Sequence, residues 1–163
     1  MPTTGSVRVF IVTPEPQRAE KITKFLSFGE RAILFLTHHF KTIDEAVKAN
    51  LSWDYEIALI DYVALGITPA DCVTLFNCCR TKMVILLHKG GMDFREACAV
   101  IADGVEDIVY ESHENTEYMI WSLLRAAAKR RSKMPIDERL ADAVNFLTMA
   151  KQNLTSSINR SDS

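Results

Sequence analysis

The candidate reactive group is one carboxylate, Asp61. It ends the run Tyr55-Glu56-Ile57-Ala58-Leu59-Ile60, and a loop with Gly66 follows it. An apolar run bounded by turn residues reads as a strand buried on both faces, as in a parallel sheet. That places Asp61 at the strand's carboxyl end, where open α/β sheets hold their ligands. The plainer role is a carboxylate capping the loop after the strand. Other reactive types assemble less well. Cys78 and Cys79 are adjacent, which does not suit zinc, and Cys72 and Cys79 share one helical face; buried thiols in a reducing compartment are the expectation for the cysteines, Cys98 included. His38 and His39 are neighbours at a strand end and point to opposite faces, so they do not form a metal site. Gly90-Gly91 lacks the Lys-Ser/Thr continuation of a phosphate loop. The basic run Lys129-Arg130-Arg131-Ser132-Lys133 has no interleaved aromatics and reads as a solvated hinge.

The elements that must position Asp61 alternate regularly. Residues 7–12 form a β-rich run, and Thr13-Pro14-Glu15-Pro16 ends it, with Thr13 as helix N-cap and Pro14 at the first helical position. Ile22, Phe25 and Leu26 are the helix's apolar stripe, and Gly29 stops it. Strands follow at 32–36, up to Asp61, at 82–88 and at 105–110. Helices start at the capping box Thr42-Ile43-Asp44-Glu45, at Thr68-Pro69-Ala70-Asp71 and at Asp93, and a long one runs over 114–131 with His113 before it. Five strands alternating with five helices predict an α/β, doubly wound, five-stranded parallel sheet of flavodoxin-like order 2-1-3-4-5.

The net charge of -2 gives no global attraction to nucleic acid or an anionic membrane. No apolar run approaches the roughly 20 residues of a membrane helix, and residues 1–6 carry no signal-peptide pattern. A cytoplasmic protein is expected. After Arg131 the pattern changes. Ile136, Leu140, Ala143, Leu147, Ala150 and Leu154 recur at alternating steps of four and three, a short heptad seam. Residues 7–131 therefore read as one domain and 132–163 as a C-terminal helical extension, a coiled coil that self-associates or a linker to an output module.

Over residues 7–131 the chain resembles the receiver domain of two-component response regulators. Val9-Phe10-Ile11-Val12, Ala58-Leu59-Ile60-Asp61 with Gly66, and Gly104-Val105-Glu106-Asp107-Ile108-Val109 carry the resemblance. It implies that Asp61 stands at the phosphoacceptor position. The family's metal-binding acidic pair falls on Thr13 and Pro14, with Glu15 one residue late. Its strand-four Ser/Thr falls on His88 or Lys89, its strand-five Lys on Glu111, and its aromatic switch on Ile108.

These departures matter physically. Phosphoryl transfer to a carboxylate gathers anionic oxygens that a metal normally neutralises. Mg²⁺ takes oxygen ligands that include one or two carboxylates, and Thr13 and Pro14 offer none. Two unit charges about 4 Å apart interact by about 4 kcal/mol at an effective dielectric of roughly 20, so an anion in place of Lys opposes phosphorylation. The expectation is a degenerate, pseudo-receiver domain, not an enzyme. It holds no cofactor and acts as a homodimer or through a partner such as a histidine kinase or a downstream output domain. Two alternatives stand: an active phosphoacceptor receiver using Asp61 and Mg²⁺, and a small flavodoxin-like cofactor binder or enzyme. The second needs a phosphate loop after strand one, where two prolines lack N–H donors. DNA binding is disfavoured, since no helix-turn-helix follows residue 131.

Overall fold

A computed structural model describes residues 5–28, 33–52, 55–77 and 83–132, together with 147 and 151. The strands are β1 (Ser6–Val12), β2 (Leu34–Phe40), β3 (Ile57–Ile60), β4 (Met83–His88) and β5 (Asp107–Tyr110). The helices are α1 (Pro16–Ser27), α2 (Ile43–Ser52), α3 (Tyr62–Leu65), α4 (Pro69–Asn77), α5 (Phe94–Ala102) and α6 (Glu117–Ser132), with a 3₁₀ turn at Glu111–His113. All pairings are parallel and the order is β2-β1-β3-β4-β5, as the alternation predicts.

The sheet buries two layers. Ile57 and Leu59 of β3 join Val9, Ile11, Ile85 and Val109 in a core closed by Ile22 and Leu26 of α1 and by Met119 and Leu123 of α6. Ala58 and Ile60, the alternate residues, face Phe10, Phe76 and Val100 in the opposite layer. There the Phe10 ring stacks on Tyr55 at 3.7 Å between centroids, and the Tyr55 hydroxyl donates to Asn50 at 2.6 Å. Burial on both faces is why β3 reads as a continuous apolar run.

Several boundaries differ from expectation. The first helix begins at Pro16, not Pro14, and its N-cap is Glu15 in extended conformation. A residue before proline is disfavoured in the helical region, so Glu15 cannot be helical ahead of Pro16. Thr13 is released from the cap. β2 runs to Phe40 and pairs with all seven residues of β1, so His38 and His39 lie within the strand. The short α3, absent from the expected five helices, is closed by Gly66 at φ 70, where its N–H reaches the α3 carbonyls. The last helix starts at Glu117 rather than 114, because the 3₁₀ turn and then Asn115, at φ 60, intervene; His113 belongs to that turn. Thr68 accepts the Asp71 N–H at 3.1 Å and Asp93 that of Glu96 at 2.8 Å, so those two caps are as expected.

Cys72 is buried and burial pushes its thiol pKa up to about 12. Cys98 is exposed on α5, so the buried-thiol expectation fails there. Cys78, Cys79, Gly29, Ile136, Leu140, Ala143, Ala150 and Leu154 lie outside the described residues. Leu147 is helical and 67% exposed.

Candidate functional site

β1 and β3 bring Thr13 and Asp61 side by side at the carboxyl edge of the sheet. The Asp61 N–H donates to the Val12 carbonyl at 2.9 Å, and the Thr13 N–H to Phe40 at 3.1 Å. Their side chains then meet: the Thr13 hydroxyl donates to Asp61 Oδ2 at 2.9 Å. Asp61 is 2% exposed and Thr13 fully buried. The carboxylate makes no side-chain cap to α3, so the loop-capping role is incorrect. It is held instead by Thr13 and by an arginine.

That arginine is Arg18, from the first turn of α1. Its Nη1 lies 2.9 Å from Asp61 Oδ2, and the side chain is 6% exposed. Nη1 is off the hydrogen-bond direction, so the contact is a close charge pair rather than an aligned bond. The guanidinium is turned towards Glu114, just beyond the 3₁₀ turn. Nε donates to Glu114 Oε1 at 2.9 Å and Oε2 at 3.2 Å, and Nη2 also donates to Oε1. This is the two-pronged pairing that suits a planar guanidinium. One cation is thus shared by two buried carboxylates. Burial opposes the Arg18 charge, but Glu114 and then Asp61 outweigh it and hold its pKa above the usual value. Glu114 is pushed up by burial first, with Glu111 and Asp61 adding to that and Arg18 opposing it.

The remaining expected site residues lie around the rim. Lys89 forms an ion pair with Glu15, which lowers the Glu15 pKa and raises that of Lys89. Both side chains are exposed, so the pair adds little stability. His88 places Nδ1 2.7 Å from the Gly90 carbonyl. His39 Nε2 sits 2.9 Å from the Thr13 carbonyl. Pro14 and Glu111 are exposed, and Ile108 is buried in the core. The anion that enters the site is therefore Glu114, not Glu111. Neither Glu114 nor Arg18 was singled out in the sequence. Arg18 had a signal: it stands four residues before Ile22, on the face of α1 that buries Ala19, Ile22 and Leu26. Glu114 had none, since its reach depends on the 3₁₀ turn.

The donor set does not fit Mg²⁺. Thr13 and Pro14 offer no carboxylate, and a guanidinium sits 2.9 Å from the Asp61 oxygen a metal would need. Among the described residues no group of three His, Cys, Asp or Glu is arranged for a metal ion. No described helix is long and apolar enough to cross a membrane.

No protein-family model matches the chain, and no curated protein matches it. Solved structures do. A CheY-like response regulator receiver domain from Methanospirillum hungatei JF-1 is 12% identical, with 78% of this chain and 98% of that chain covered and a TM-score of 0.64. A response regulator receiver domain protein from Clostridium thermocellum is 11% identical over 78% and 99%, with a TM-score of 0.66. The BeF3-activated DrrB receiver domain is 16% identical over 74% and 97%, with a TM-score of 0.60. The chain has the CheY-like receiver fold, with Asp61 at the carboxyl end of its third strand.

Proposed function

We propose that this chain is a receiver-like signalling domain that works through protein contacts, with weak or no phosphorylation at Asp61. The observation that carries the reading is the buried Arg18 guanidinium against Asp61. An internal cation there neutralises the carboxylate without a metal and blocks the approach of one. A phosphoryl group on Asp61 would also face Glu114, a second buried anion. The domain is not an enzyme, needs no cofactor and is cytoplasmic.

Output passes through α6 and the extension at 132–163. Leu147, a seam position, is 67% exposed, which supports a seam used between copies rather than against this chain's own core. The expected partner is a second copy of the chain, in a dimer, with a histidine kinase or an output domain as further candidates.

The active-phosphoacceptor reading needs a cation free to serve the phosphate. Lys89, its best candidate, lies on the exposed rim beside Glu15, while the buried position beside Asp61 is held by Arg18. The cofactor-binding reading needs backbone donors after β1, where Pro14 and Pro16 have none. Intact mass after incubation with Mg²⁺ and acetyl phosphate separates these, with Asp61→Asn as control. The proposal expects an unchanged mass. An Asp61-dependent phosphoryl adduct in stoichiometric yield overturns it.

A further inference from the structure

The two edges of the sheet are guarded unequally. β5 is four residues long and opens on Asp107, whose carboxylate accepts from Ser122 and pairs with Arg125; Glu106 before it pairs with Lys129. Shortness and charge are the usual protection of an edge strand against pairing with another chain. β2 has neither. It runs for seven residues, Leu34-Phe35-Leu36-Thr37-His38-His39-Phe40, with no Asp, Glu, Lys, Arg, Pro or Gly. Its register with β1 is unbroken from Ser6 opposite Leu34 to Val12 opposite Phe40, so no bulge bends it away. Leu34 and Leu36 share one face and are 46% and 43% exposed. Among the described residues no strand lies on its outer side. An edge of this kind is a template for a further strand.

We propose that the outer edge of β2 pairs with β2 of a second copy of the chain, antiparallel, joining two five-stranded sheets into one. A two-fold axis standing on the sheet makes the contact self-complementary. The composition of β2 suits its own copy: with no Asp, Glu, Lys or Arg, it opposes no like charges to itself in any register. Turned about Phe35, the pair sets Leu34 of one copy opposite Leu36 of the other, and the axis keeps all of these leucines on one face. They then leave water in the same contact that supplies the strand hydrogen bonds. The end of α6 lies beside this edge. Arg131 pairs with Glu56 at 3.1 Å and lies 3.5 Å from the carbonyl of Ser6, the β1 residue opposite Leu34. The extension after Ser132 therefore starts close to the contact, and the heptad seam and β2 can serve one dimer. The contact rests on the reading of this chain as self-associating and gives it an interface inside the α/β domain.

The test follows backbone amide hydrogen exchange and sedimentation equilibrium of the full chain over concentrations that span dissociation of the dimer. Alternate amides of β2, those on its outer edge, are expected to slow as the dimer forms, while the amides of β5 are indifferent. Leu36→Lys sets a charge into the contact at a position exposed in the single chain. It is expected to raise the dimer dissociation constant at least about tenfold and to abolish the concentration dependence, with the circular dichroism unchanged. Leu34→Lys, at the other exposed position, is expected to act alike. Neither readout uses a phosphoryl donor, so an Asp61 adduct overturns the proposed lack of phosphorylation without touching this contact. A monomer at every concentration overturns the contact, as does a dimer indifferent to both lysine variants. So do β2 amides that exchange alike in monomer and dimer, which would leave the seam as the interface or a cover supplied by the chain itself.

Discussion

Arg18 Nη1 lies 2.9 Å from Asp61 Oδ2, with the two side chains 6% and 3% exposed. A buried pair of this kind need not stabilise a protein relative to an apolar substitute, but removing one partner is costly. Arg18→Met is therefore expected to lose about 3–5 kcal/mol, since it strands two buried carboxylates. Denaturant midpoints at pH 7 check this. The loss should shrink in mild acid, where the stranded Glu114 carboxyl, its pKa already raised by burial, can protonate.

Stability should also depend on pH through Glu114. Its folded pKa is raised above the ordinary 4.5 by burial, partly offset by Arg18. The folded state therefore binds this proton more tightly than the unfolded state. The resulting stability is fully present below the unfolded pKa and is lost as pH rises through the folded value. Glu15 has the opposite sign, because Lys89 lowers its pKa, but that exposed pair is screened by salt. Unfolding curves across pH 4–7 should show a component that disappears in Glu114→Gln.

Two glycines should respond unequally to alanine. Gly66 sits at φ 70 with nothing within 4 Å of an added Cβ, whereas Gly104 sits at φ 105 with Val73 Cγ1 at 3.2 Å. Gly66→Ala is expected to cost about 1–2 kcal/mol for its backbone alone. Gly104→Ala should cost more, since strain and crowding add. Thermal unfolding of the two variants ranks them.

Asp107 at the start of β5 ties that edge strand to α6. It accepts from Ser122 at 2.6 Å and lies 3.2 Å from Arg125. Ser122 is buried, so Ser122→Ala should cost about 1.5–3 kcal/mol, the range for a hydrogen bond to a charged group. Arg125→Ala, at an exposed pair, should cost under about 1 kcal/mol. Denaturant titration of both variants makes the comparison.

The heptad seam from Ile136 to Leu154 predicts an oligomer. Leu147→Asp should shift a dimer towards monomer in sedimentation equilibrium, without changing the circular dichroism of the α/β domain. An oligomeric state indifferent to that substitution would move the interface elsewhere.

The sheet was legible because its signals are local. Doubly buried strands appear as apolar runs, and caps such as Asp93 and Thr68 announce helix starts. Asp61 was legible for the same reason, being an acid at the end of a fully buried apolar run. The composition of its pocket was not. Arg18 belongs to α1 and Glu114 to the turn before α6, 96 residues apart. Only the folded arrangement brings them together. Glu111 looked like the opposing anion because strand β5 points to it in sequence. The 3₁₀ turn at Glu111–His113 reverses that, leaving Glu111 exposed and carrying Glu114 inward. The Thr13 cap was misplaced because two prolines compete for the helix start.

Arg18 already stands as the cation beside Asp61. The most direct test is ¹⁹F NMR of the full chain titrated with beryllofluoride and Mg²⁺, with Asp61→Asn as the reference. No protein-bound fluorine signal is expected in either protein. A saturable signal that requires both Mg²⁺ and Asp61 would contradict it, and would make this an ordinary phosphorylation switch whose arginine moves aside.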